Sequence, residues 1–150
     1  MIVAAVCLLE SDTTKVKKQF AKLSGLVSKH GEEPILQMAR KAQGIGALFA
    51  RECTLSTPLY DFSGKYDRAE IVSNAARMRA QFSTLSLVFN DIAVDFPDAQ
   101  TARVVATVTL KGNAGAGDPL NETREFECSL IKVERQWFFA NWNVVDVLKK

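Results

Sequence analysis

"LIKVERQWFFANWNVVDV", residues 130–147, holds both tryptophans of the chain, two of its nine phenylalanines and four of its valines. Aromatic and β-branched residues at this density favour strand over helix. Glu134-Arg135 reads as a turn between two strands, the second covering 136–148. Side chains alternate across a strand. Trp137 and Phe139 therefore share one side, and Phe138, Ala140, Trp142 and Val144 share the other. Both sides are apolar. One is expected to meet an interior, the other a surface that needs cover.

The residues before this hairpin continue the strand pattern. Predicted strands cover 85–96, 101–112 and 123–133, with a bulge at Asn90-Asp91 and a turn at 97–100. "NAGAGDPLNE" (113–122) joins two antiparallel strands, so it lacks the strand-to-helix context of a phosphate-binding loop.

Further upstream the period changes to that of helices. Ser11-Asp12 offers an N-cap, and Val16, Phe20, Leu23 and Val27 form one helical face, with most lysines off it. His30-Gly31 ends this helix. Ile35, Met38, Ala42, Ile45 and Phe49 define a second helix, in which Gly44 and Gly46 imply close approach of another element. Thr54 to Ser63 reads as a short strand or hairpin. Asp67 and Glu70 form a capping box, followed by a third stripe of Ile71, Ala75, Met78 and Phe82. Helices first and strands last predict an α+β fold, three N-terminal helices packed on an antiparallel sheet.

At 150 residues the chain is one domain by length. A net charge of +2, with no basic patch interleaved with aromatics, argues against nucleic acid. Cys7, Cys53 and Cys128 have no metal-ligand spacing, and neither metal nor cofactor is implied. Residues 1–10 form an apolar segment that packs as a first strand or is the remnant of a membrane anchor; 11–150 form the domain. The location is expected to be either cytoplasmic or membrane-anchored and periplasmic, with contact to a membrane only through that segment.

The order of elements resembles the nuclear transport factor 2-like superfamily, which includes ketosteroid isomerase and the small polyketide cyclases. "ALFARECTLSTP" (47–58) is similar to its second-helix exit, "DIAVDFPDAQTARVVATVTL" (91–110) to its paired central strands, and residues 130–147 to its last hairpin. The resemblance covers roughly residues 13–148. Arg135 stands where that hairpin turn usually carries glycine, which predicts a turn without a positive φ. The resemblance implies a curved sheet and a cone-shaped pocket, a cystatin-like α+β roll, and often a homodimer through the sheet face. Its bacterial members include some with an N-terminal membrane segment.

Residues expected to line the cone are Phe20, Phe49, Tyr60, Tyr66, Phe82, Trp137, Phe139 and Asn141. No catalytic set stands out. Glu52 lies in a polar turn beside Arg51, His30 ends a helix, and Asp91, Asp95 and Asp146 lie on strands. The expected function is a non-catalytic domain that binds an apolar small molecule or a protein partner. The alternative is a small lyase or isomerase acting on an apolar substrate in the cone. By strand parity, Trp137 is expected to be the structural keystone and Trp142 to face outward, at a dimer interface.

Overall fold

A computed structural model describes residues 11–57, 62–115, 117 and 119–145. The apolar segment 1–10, Tyr60 and Asp146 lie outside the described residues. Three helices, α1 (Asp12–Val27), α2 (Ile35–Ala47) and α3 (Arg68–Ala80), pack on seven strands. The strands are β1 (Lys29–His30), β2 (Phe49–Thr57), β3 (Phe62–Asp67), β4 (Thr84–Asp98), β5 (Thr101–Asn113), β6 (Leu120–Val133) and β7 (Gln136–Val145). They form one curved, unclosed sheet in the order β1-β4-β5-β6-β7-β2-β3. The fold is α+β, as the helix-then-strand pattern predicts.

The helix starts follow local chemistry. Ser11 caps α1 by accepting from the Thr14 backbone N–H. Asp67 and Glu70 form the expected reciprocal box at α3. The α1 stripe of Val16, Phe20, Leu23 and Val27 is buried, with Phe20 only 1% exposed. Burying a side chain of this size stabilises by about 1.5–3 kcal/mol. On α2 the stripe holds from Ala42 onward, but Ile35 is exposed. The helix also stops two residues before Phe49, which opens β2 instead. Gly46 explains the close packing there: a Cβ at that position would lie 2.4 Å from Val72 Cγ2 on α3.

Three features of the sheet depart from the sequence reading. First, it is mixed: β2 runs parallel to β7, with Leu55 opposite Trp142, while the other pairings are antiparallel. These two strands are far apart in sequence, so no hairpin fixes their direction. Second, β7 is irregular. Leu130 pairs with Phe139 and Ser129 with Asn141, which leaves Ala140 as an extra residue. A bulge reverses the alternation beyond it. Trp142 and Val144 therefore turn to the same side as Trp137 and Phe139, and Asn141 and Asn143 are exposed. The expected bulge near Asn90-Asp91 is also present, with Asp91 at φ 54°.

Third, the β6–β7 turn does take the left-handed conformation, with φ 50° at Glu134 and 71° at Arg135. Two-residue hairpin loops need this handedness to match strand twist, whatever residues occupy them. A side chain held there is strained by about 1–2 kcal/mol. Arg135→Gly is expected to stabilise the fold by about 1 kcal/mol, a rise of about 2–4 °C in Tm for a chain of this size. A thermal melt with unchanged or lower Tm would contradict the strain.

The bulge also changes the outer face of the sheet. Its largest expected residue, Trp142, is absent from it. Phe138 does alternate away from Trp137, but the Arg68 guanidinium covers its ring at 5.4 Å from the centroid. Val88 and Val105 remain exposed on that side.

One buried charge cluster ties the helices together. Arg79 near the end of α3 is 1% exposed. Its guanidinium grips Glu33 with two contacts of 3.0 and 3.1 Å. It also donates to the Val27 and Ser28 carbonyls, which the end of α1 leaves unpaired. Lys41 on α2 donates to Glu33 at 2.8 Å and to the Ser28 carbonyl. Lys29 in turn donates to the Arg79 carbonyl at 3.0 Å. Burial pushes the Glu33 carboxyl up, but the bonds and charges of Arg79 and Lys41 outweigh it and hold its pKa at about 2.

Candidate functional site

The curved sheet and α1 enclose a cone, and aromatic rings divide it in two. The deep part is filled. Phe20 of α1 meets Phe139 and Phe89 edge-on, each at 5.1 Å between centroids. Phe126 of β6 packs under Trp142 at 4.7 Å. Phe20, Phe126 and Phe139 are all at most 1% exposed.

Above this floor a cavity of about 280 Å³ stays open. Its walls are Leu23 of α1, Phe49, Leu55 and Ser56 of β2, Leu87 and Phe89 of β4, Val108 of β5, and Trp142 and Val144 of β7. Strand alternation supplies those on β4 and β7. On β4, Leu85, Leu87 and Phe89 take every second position up to the bulge; on β7, Trp142 and Val144 do so beyond it. Among the described walls Ser56 brings the one hydroxyl, and none of these residues titrates. Such a surface binds by apolar contact, with few polar atoms to orient a ligand.

Of the residues expected to line the cone, Phe49 does, while Phe20 and Phe139 form its floor. Trp137 lies away from the cavity. It is 2% exposed, packs on Phe96 at 5.7 Å, and donates from Nε1 to Asp12 Oδ1 at 3.1 Å. Phe82 covers Gly112, where a Cβ would meet its ring at 2.8 Å. Tyr66 is half-buried on β3, beside Gly64. Asn141 is exposed on the outer face, because the Ala140 bulge reverses the parity that would have aimed it inward.

Leu55, Leu87, Phe89, Val108, Trp142 and Val144 were not expected to line the cone. A signal existed in "NWNV" (141–144), whose polar-apolar alternation runs out of phase with Trp137 and Phe139. That phase change is the mark of a bulge.

The titratable candidates lie elsewhere. Glu52, Asp91 and Asp95 are exposed. His30 is exposed at the β1 edge, beside a separate concavity of about 300 Å³ shared with Lys29, Lys111 and Asn121. That concavity has mixed polar walls, so the apolar cone is the better ligand site. Beside the cone, burial raises the thiol of Cys53 to about 12 and that of Cys128 well above its ordinary value, so neither is a ready nucleophile.

No protein-family model matches the chain, and no curated protein does. Solved structures do. A candidate scytalone dehydratase from Novosphingobium aromaticivorans DSM 12444 superposes with a TM-score of 0.73 at 16% identity, over 93% of this chain and 89% of that one. A candidate dehydratase of the NTF2-like family from Streptomyces avermitilis gives 0.70 at 14% identity, over 92% and 97%. The fold is NTF2-like. A cystatin-like protein of unknown function from Nostoc punctiforme PCC 73102 gives 0.65 at 11% identity, over 89% of each chain. These identities are low enough that the NTF2-like likeness concerns the fold alone. Within that fold the cone is the concave site, and in this chain its described walls are apolar.

Proposed function

We propose that the domain binds an apolar small molecule in the cone and acts as a binding module. The observation that carries this reading is the cavity of about 280 Å³, walled by aliphatic and aromatic side chains around one hydroxyl. A preformed apolar hollow above a packed aromatic floor releases little strain on filling and gains the burial of the ligand surface. A general acid or base needs a titratable group within hydrogen-bond reach of the substrate. None of the described wall residues supplies one.

Two structural neighbours carry dehydratase names, which favours a lyase as the second reading. That reading requires an acid–base pair brought to the cavity by residues other than its described walls.

Titration with phenylnaphthylamine, a neutral fluorophore that brightens in apolar surroundings, tests the binding reading. The expected result is saturable binding of one probe per chain. Val108→Phe places a ring in the cavity and is expected to weaken the probe at least about tenfold, as steric exclusion from an apolar site of this size does. Equal affinity for the variant, checked for folding by circular dichroism, would put the probe somewhere other than the cone.

A further inference from the structure

The two tryptophans of β7 face the same side of the sheet and differ in one respect. The Trp137 indole N–H is satisfied by Asp12 at 3.1 Å. The Trp142 Nε1 is buried and has no hydrogen-bond partner. Around the indole are Phe126, Phe139, Phe20 and Phe89, with ring centroids between 4.7 and 6.1 Å from its own. Water does not reach the donor, and none of these rings carries a conventional acceptor.

A buried donor left unpaired costs about 1–3 kcal/mol, so native proteins seldom retain one without compensation. Phenylalanine at this position would keep most of the aromatic packing and remove the penalty. Trp142 also forms part of the cavity wall. The cavity is therefore the space from which an acceptor can approach this residue.

We infer that the ligand of the cone carries a hydrogen-bond acceptor on an otherwise apolar frame, a ketone, ester or ether oxygen, and that the Trp142 indole N–H donates to it. This rests on the binding reading above and narrows it to a ligand class. The acceptor is taken as uncharged, since no cation stands among the described wall residues to offset the desolvation of an anion. Reaching the buried nitrogen requires the indole to tilt towards the cavity that it borders. Ser56 is the other polar side chain among the described walls and offers a second, weaker contact.

Tetralin and α-tetralone test the inference, being nearly the same in shape and differing by one carbonyl. The quantity to read is the affinity ratio of ketone to hydrocarbon in the wild type, divided by the same ratio in Trp142→Phe. This double ratio cancels the cost of desolvating the carbonyl and the general effect of the substitution. A neutral hydrogen bond gives about 3–10-fold. A double ratio of one would overturn the inference and leave the binding reading standing. Failure of both compounds to bind the wild type would overturn both. A second readout needs no variant: the carbonyl stretch of bound α-tetralone in the wild type. A shift to lower wavenumber than in cyclohexane supports a donated hydrogen bond, and an unshifted band counts against one.

Discussion

Trp137→Ala is expected to remove most of the domain's stability. Truncating a fully buried tryptophan costs about 3–5 kcal/mol, against the ~5–15 kcal/mol by which domains of this kind are folded. The structure shows why this residue is not interchangeable with its neighbour. Trp137 is 2% exposed, packs on Phe96, and joins β7 to the first turn of α1 through Asp12. Gln19 of α1 adds a bond to the Trp137 carbonyl at 2.8 Å. Losing the indole opens a void and detaches the helix start. Trp142 is only partly buried, borders a cavity and satisfies no polar group. Trp142→Phe is therefore expected to be nearly neutral, whereas Trp137→Phe forfeits a charge-assisted bond of about 1.5–3 kcal/mol. Urea melts of the alanine and phenylalanine variants at both positions give the ranking. A larger loss at either Trp142 substitution than at its Trp137 counterpart would contradict the described packing.

Glu33→Gln is expected to cost about 3–5 kcal/mol, because it leaves the guanidinium of Arg79 buried without its counter-charge. The same pair sets an acid limit on the fold. Glu33 is held at about 2, below its ordinary 4.5, so its contribution is fully present above 4.5 and is lost as the pH falls towards 2. The wild type should lose urea resistance across this window, and Glu33→Gln should show a shallower slope there. Parallel slopes for the two proteins would show that other carboxylates carry the acid sensitivity.

Much of the fold was legible because it is encoded locally. The α1 stripe, the Asp67–Glu70 box and the Asn90-Asp91 bulge each depend on residues within a few positions of one another. The departures are of another kind. Arg79 looks like any surface arginine until Glu33, 46 positions away, is seen beneath it. The parallel pairing of β2 and β7 joins distant parts of the chain. The Ala140 bulge is local, but its only trace is a change of phase over four residues. That single extra residue removed Asn141 from the candidate site and brought Trp142 in. The walls were under-read for the same reason. Aromatic residues were taken as the lining, whereas Phe20 and Phe139 form the filled floor, Trp137 and Phe82 pack elsewhere, and aliphatic residues on β2, β4 and β5 help shape the open part.

The measurement closest to the central claim is a nitrogen–proton correlation spectrum of the two indole N–H groups during titration with phenylnaphthylamine. The chain has two tryptophans, so one spectrum of Trp142→Phe assigns both signals. If the probe occupies the cone, the Trp142 signal moves with saturation and the Trp137 signal, held by Asp12 outside the cavity, stays in place. A Trp142 signal that does not move while the probe binds would contradict the cone as the binding site.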